Sequence, residues 1–155
     1  MNHHPRTDYK EASPGAFKAM LDMETYVRRS GLEHSLLELV KTRVSQINGC
    51  AFCLDMHTKD ARAAGETEQR LHVLAAWREA PFYSARERAA LAWAEAVTLV
   101  ATNDLPDALY EEVRSQFDDR SLVDLTLAII TINGWNRLAI GFRADVGSYK
   151  AKASG

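Results

Sequence analysis

Apolar positions recur along this chain every three to four residues, and almost nowhere do they alternate in twos. That period is helical. Residues 14–30 predict a first helix, ended by Gly31. Residues 32–47 predict a second, with Leu32, Leu36, Leu39, Val40, Val44 and Ile47 at helical spacing, and Asn48-Gly49 breaks it. A third opens at about Cys50 and runs to Gly65, a C-terminal cap. Thr67 caps a fourth over 68–79, stopped ahead of Pro81. Ser84-Ala85-Arg86-Glu87 has the form of a capping box and starts a fifth, 85–102. Asn103-Asp104-Leu105-Pro106 is a turn, with Pro106 in the first turn of a sixth helix, 106–117. Ser121 caps a seventh, 122–133. Its β-branched run Ile129 to Ile132 has no partner strand anywhere, so it reads as a buried helix. The tail after Gly147 is small and polar and is expected to fray.

The expected fold is therefore all-α, a bundle of about seven helices. With 155 residues and no linker or low-complexity tract, the chain reads as a single domain over 1–155. Apolar residues make up 46% and charged residues 26%, which is ordinary for a globular protein. The net charge is −2 with no basic block, which argues against nucleic acid and anionic membrane as partners. The N-terminus lacks the apolar stretch of a secretory signal, and no run approaches the roughly 18 apolar residues of a membrane span. A cytoplasmic location is expected. His3 and His4 are given no role.

The chemistry lies in Cys50-Ala51-Phe52-Cys53-Leu54-Asp55-Met56-His57, which holds the chain's two cysteines. In a cytosolic protein a CxxC pair is more often catalytic or metal-binding than structural. If Cys50 opens a helix, Cys50, Cys53 and His57 share one face. His57 leans back over Cys53 and can take its proton, leaving a stabilised thiolate. The helix N-terminus instead favours thiolate at Cys50. On these grounds either sulfur is the nucleophile. A zinc reading would use both cysteines and His57, with His34 or His72 as a fourth ligand. Thiol redox chemistry is preferred, because no further cysteine exists and His57 stands in register with Cys53.

Glu38 stands twelve residues before Cys50. Glu38-x11-Cys50-x2-Cys53-x3-His57 resembles the signature of the alkylhydroperoxidase AhpD-like, carboxymuconolactone decarboxylase superfamily, in its single-domain CxxC branch. The segments Glu38 to Cys50, Glu87 to Glu95 and Thr131-Ile132-Asn133-Gly134-Trp135-Asn136-Arg137-Leu138 resemble it too, so the likeness covers about residues 10–147. It implies an all-helical, oligomeric protein: a dimer, trimer or hexamer. It implies a peroxidatic Cys53, a resolving Cys50, and a proton relay of His57 and Glu38. The decarboxylase branch lacks the CxxC pair, so decarboxylation is not implied. Some peroxidase members carry a histidine before the second cysteine. Here that residue is Phe52, which makes the site more apolar and one proton acceptor poorer.

Without the resemblance, Glu38 reads as a cap in Ser35-Leu36-Leu37-Glu38 or as a solvated carboxylate beside Lys41, Thr42 and Ser45. With it, Glu38 is a relay group that a neighbouring subunit or the N-terminal segment must cover. Trp77, Trp93 and Trp135 read as core or subunit-interface packing. Asn136-Arg137 reads as a cap on carbonyls at a helix end or as a pair across an interface. The expected activity is reduction of hydroperoxides through a CxxC dithiol/disulfide cycle. No flavin, haem or nucleotide motif is present, so no cofactor is expected. Electrons would come from a lipoyl or thioredoxin-like dithiol protein, the lipoyl option being implied by the resemblance alone. The rivals are a general thiol-disulfide oxidoreductase or redox sensor, favoured by Phe52, and a catalytically silent helical assembly protein.

Overall fold

The computed structural model describes residues 4–151, and these contain α-helices and no strand. The helices are α1 (Tyr9–Ala12), α2 (Pro14–Arg29), α3 (His34–Asn48), α4 (Ala51–Ala63), α5 (Glu68–His72), α6 (Ala85–Thr98), α7 (Asp107–Arg114) and α8 (Asp119–Phe142), with a 3₁₀ turn at Leu74–Ala76. The expected all-α bundle is what the chain forms. None of these helices is long and apolar enough to cross a membrane.

α3 is the hub. It packs on α4, α6 and α8 together, so it has no solvent face to spare. Leu36, Val40 and Val44 enter one apolar cluster with Leu125, Ile129 and Ile132 of α8. Leu39 points into a second, with Leu71, Leu74, Trp77 and Leu91. Burial on two sides also takes Glu38, Lys41, Thr42 and Ser45 out of water. The helix ends at Gly49, whose φ of 68° is left-handed, and Gly49 N–H and Cys50 N–H close the last turn on Gln46 O and Ser45 O. The Ser35 to Glu38 pattern near its start does not cap it. Its N-cap is Glu33, which makes no side-chain capping bond.

Several expected boundaries move. The fourth expected helix, 68–79, stops at His72 and gives way to the 3₁₀ turn. The Arg88 guanidinium donates to the carbonyls of Trp77, Arg78 and Ala80, and the Trp77 ring is held between Arg78 and Arg88. The Arg88 side chain thus ties down the loop that follows the 3₁₀ turn. The fifth ends at Thr98 rather than 102, and its Ser84–Glu87 capping box forms as expected. The sixth is shortened to Asp107–Arg114, with Pro106 as its N-cap.

The largest correction is α8. It starts earlier, capped by Asp118 rather than Ser121, and runs on through Asn133-Gly134 to Phe142. A Cβ on Gly134 would meet Met20 Cε at 2.8 Å, so this glycine is the notch where α2 lies against α8. Asn136 and Arg137 are therefore mid-helix and cap nothing at its end. α1 was not expected; Asp8 caps it by accepting from the Lys10 and Glu11 amides. The segment after Gly147 is also tied down. Tyr149 donates to Asp60 Oδ1 (2.7 Å), and Lys59 donates to Tyr149 O (2.9 Å). His3 and residues 152–155 lie outside the described residues.

Candidate active site

Because Gly49 turns the chain at the end of α3, Cys50 becomes the N-cap of α4. Its Sγ accepts from the Cys53 amide at 3.3 Å, in the role an N-cap oxygen usually fills. Cys53 stands one turn in and His57 one turn further, on one face. Both thiols are free, and each is only 1% exposed. Cys53 and His57 nevertheless open onto an apolar cavity of about 280 Å³. Phe52, Met56, Phe17 and Trp135 form its walls, with Tyr9 and Tyr149 at its edge. Cys50 does not line that cavity; it lies behind Cys53.

His57 bridges to α3. Its Nδ1 lies 3.0 Å from Glu38 Oε2, and Glu38 is 4% exposed. A carboxylate only accepts, so Nδ1 carries a proton, and in the neutral imidazole the lone pair is on Nε2. Nε2 is buried and has no hydrogen-bond partner among the described residues. Glu38 is thus a buried hydrogen-bond partner of His57, neither a cap nor a solvated carboxylate. Its cover comes from its own chain: a polar recess of about 400 Å³ beside it is walled by Arg28, Asp60 and Tyr149, residues that also line the thiol cavity. Within the chain, α2, α4 and the segment after Gly147 wall the recess beside Glu38.

The buried charges balance in a row. Lys41 Nζ is 2.5 Å from Glu24 and 3.9 Å from Glu38. Burial pushes the Glu38 carboxyl up, but the His57 hydrogen bond and the Lys41 charge outweigh it and hold it below the ordinary value. Glu24 is lowered in the same way, burial being overcome by Lys41. The two thiols part company. Cys50 is lowered to about 7, chiefly by the hydrogen bond it receives from Cys53, against the upward push of burial. Cys53 is raised well above the ordinary thiol range by donating that bond, and by burial. The pair therefore gives up one proton easily and holds the second.

The sequence brought Cys50, Cys53, His57 and Glu38 into view, and they meet. It did not single out Lys41, Glu24, Asp60, Tyr9 or Tyr149 for the site. Lys41 alone carried a signal, one turn from Glu38. For metals, Glu38, His57 and Asp60 hold one potential ligand atom each within 4.8 Å of one another. In each of the three a hydrogen bond already engages the polar group, His57 with Glu38 and Asp60 with Tyr149, so the group reads as a hydrogen-bond cluster. The zinc set of Cys50, Cys53, His57 and a further histidine is not among the groupings formed by the described residues.

The sequence profile of the Carboxymuconolactone decarboxylase family matches residues 14–96, more than half of the chain. The chain belongs to this family. Its relatives in the family include the uncharacterized protein YdfG of Bacillus subtilis, 51% identical over 87% of this chain and 92% of that one. A structure from Agrobacterium tumefaciens, of unknown function and linked by its description to the antioxidant defence protein AhpD, superposes with a TM-score of 0.90. It is 47% identical over 94% of this chain and 100% of that one. The debrominase Bmp8 shares the family fold alone, with a TM-score of 0.78 at 17% identity over 89% of this chain and 74% of that one. The AhpD-like architecture expected from the signature is thus established.

Proposed function

We propose that the protein is a thiol-dependent peroxidase that reduces organic hydroperoxides through a Cys50–Cys53 dithiol/disulfide cycle. The observation that carries this reading is the floor of the apolar cavity, where Cys53 sits beside an imidazole with a free Nε2 lone pair that is backed by a buried carboxylate. His57 Nε2 takes the Cys53 proton, the Cys53 thiolate attacks the outer peroxide oxygen, the O–O bond breaks, and the alkoxide takes that proton from His57. Cys53 is then a sulfenic acid. Cys50 displaces water from it and closes the disulfide. An outside dithiol returns two electrons and two protons. Apolar walls favour an alkyl or aryl hydroperoxide over hydrogen peroxide. Sulfurs this deeply placed favour a reductant on a slender arm, such as a lipoyl group, over the broad face of a thioredoxin-like protein. The same depth weighs against the general thiol-disulfide oxidoreductase, because a folded protein disulfide cannot reach Cys53 through a cavity of this size.

Mass spectrometry after one equivalent of cumene hydroperoxide tests the cycle. The wild type should lose two hydrogens as a Cys50–Cys53 disulfide, and Cys50→Ser should trap a dimedone-reactive sulfenic acid on Cys53. An unoxidised wild type sinks the proposal. Dimedone adduct on Cys50 in Cys53→Ser, with none on Cys53 in Cys50→Ser, reverses the roles.

We also propose that it acts in the cytoplasm as a homo-oligomer, a dimer, trimer or hexamer. Val123 and Ile130, seven residues apart on α8, are 67% and 50% exposed, and Tyr26 joins them by donating to Asp124. A single chain leaves this apolar face to water. Light scattering should give a multiple of 17.3 kDa, and a stable monomer at micromolar concentration overturns the assembly.

A further inference from the structure

His57 can take a proton from Cys53 only while its Nε2 is free of one, and carboxylates crowd the ring. Glu38 Oε2 on α3 stands 3.0 Å from Nδ1. Asp60 follows His57 by one turn of α4, and one polar atom from each of Glu38, His57 and Asp60 lies within 4.8 Å of the others. A third carboxylate, Glu24 of α2, lines the same cavity as His57. Negative groups around an imidazole favour the form protonated on both nitrogens, which has no lone pair to offer. A positive charge has to offset them.

Lys41 is the residue placed to do so. Among the described residues no other lysine or arginine is buried. It follows Glu38 by three residues, so the two side chains share a helical face. Its Nζ lies 2.5 Å from Glu24 and 3.9 Å from Glu38. One ammonium thus serves two buried carboxylates. The other charged neighbours count for less. Arg28 of α2 reaches Glu24 through Nε at 3.4 Å, but its side chain is 69% exposed and water screens it. His34 lines the recess beside Glu38 and is exposed. Lys10 of α1 is exposed too, with its ammonium over the Phe17 ring. Lys59 of α4 is committed to Asp55 and to the Tyr149 carbonyl. Trp135 of α8 and Tyr149 of the strap donate to Glu24 and Asp60 and bring no charge. A unit charge acts most strongly where water is absent, so the buried one dominates.

We propose that Lys41 is a positioning residue for His57: its buried ammonium, held by Glu24 and Glu38, offsets the carboxylates around the imidazole and keeps the Nε2 lone pair available to the Cys53 thiol. The proposal rests on the reading of His57 as the base of a working thiol site. Lys41 touches neither a sulfur nor the peroxide. It acts through Glu38, which it keeps ionised and so able only to accept from Nδ1. Without the ammonium, a proton can arrive on Nε2 by two routes. The imidazole takes up a second proton itself, or a protonated Glu38 donates to Nδ1 and the ring proton moves to Nε2. Both routes end with no lone pair facing Cys53. Glu24 has a separate part: it accepts from Lys41 and from Trp135 Nε1 at 3.3 Å, which fastens the ammonium to the wall of the cavity.

The test is nitrogen NMR of the His57 ring in the reduced full chain at neutral pH, without peroxide, the His57 signals being those that His57→Ala removes. In the wild type Nε2 should bear the lone pair. Lys41→Met keeps a long unbranched side chain and removes the charge. It should cut the fraction of His57 with a lone pair on Nε2 by about tenfold, the effect of about one pH unit, and slow hydroperoxide consumption by a similar factor. Lys41→Arg keeps the charge and should leave Nε2 as in the wild type. A merely structural lysine would lower the melting temperature and leave Nε2 alone. A folded Lys41→Met with a wild-type Nε2 overturns the proposal, and so does a folded Lys41→Arg that has lost the lone pair. If Lys41→Met does not fold, the charge-balanced double variant Glu24→Gln/Lys41→Met replaces it. There Nε2 should shift less, in the same direction, because Glu38 and Asp60 remain; a wild-type Nε2 overturns the proposal. The readout needs no turnover. A protonated Nε2 in Lys41→Met, in a protein that reduces no hydroperoxide, would retain the role of Lys41 and remove the peroxidase reading. A wild-type Nε2 in Lys41→Met, in a protein that does reduce them, would do the opposite.

Discussion

Two Asn-Gly pairs face each other across the dithiol, and the same dipeptide does opposite things. At Asn48-Gly49 the glycine is left-handed and ends α3, which throws Cys50 into the N-cap of the next helix. At Asn133-Gly134 the glycine stays helical and makes room for Met20. The asparagines of the two pairs are bonded to one another at 2.9 Å. The first pair therefore shapes the segment that holds the two thiols and His57, 50–57, and the second belongs to the segment of α8 that braces α3 behind them, where Asn136 donates to Ser45 Oγ. What decides between breaker and notch is the surroundings. The first pair is followed by a new helix start, and the second lies in the middle of an apolar run with α2 pressed against it. A dipeptide alone does not carry that distinction.

If the two segments divide the work this way, the heaviest loss of rate should come from the first. His57→Ala should slow hydroperoxide consumption on the order of 10²-fold, as removal of a proton-transfer group does. Glu38→Gln should slow it less, because it removes charge behind the imidazole rather than the imidazole. The rate should climb with pH through about 7, since the reactive species is the deprotonated pair and its first proton leaves there. Stopped-flow consumption of cumene hydroperoxide across pH checks all three. A His57→Ala rate within a factor of two of wild type removes His57 from the chemistry.

The smallest effects sharpen the contrast between the glycines. Gly49→Ala forces a Cβ into a left-handed turn and should cost roughly 1–2 kcal/mol. Gly134→Ala gains helix propensity, offset only by displacement of the terminal methyl of Met20, which is free to swing. It should stabilise by less than about 1 kcal/mol. Urea unfolding of the two variants decides this, and a larger loss at Gly134 than at Gly49 would reverse the assignment of cap and notch.

Much of this was legible in the sequence where a local rule governs. The Ser84–Glu87 capping box, the Thr67 cap and the Gly49 stop are written within a few residues and formed as read. The thiols and His57 share a helical face for the same reason. What escaped depends on partners far along the chain. Glu38 looks solvated on a helical wheel because the wheel cannot know that α3 is covered on both sides. The helix expected over 68–79 gives way after His72 to a 3₁₀ turn and a loop whose carbonyls accept from Arg88, a residue beyond its end. Tyr149 sits in a tail with no apolar pattern, and its hold on Asp60 spans 89 residues.

That last contact bears on the order in which the site comes into being. Synthesis passes Tyr9, the cysteines and His57 in turn, and reaches Tyr149 only 96 residues after Cys53 (149 − 53). A nascent chain therefore carries the complete reactive set well before it owns the far wall of the cavity. During that interval the cavity above Cys53 lacks its Tyr149 side. That side is added at the end, when the strap after Gly147 lies down against Asp60 and Lys59.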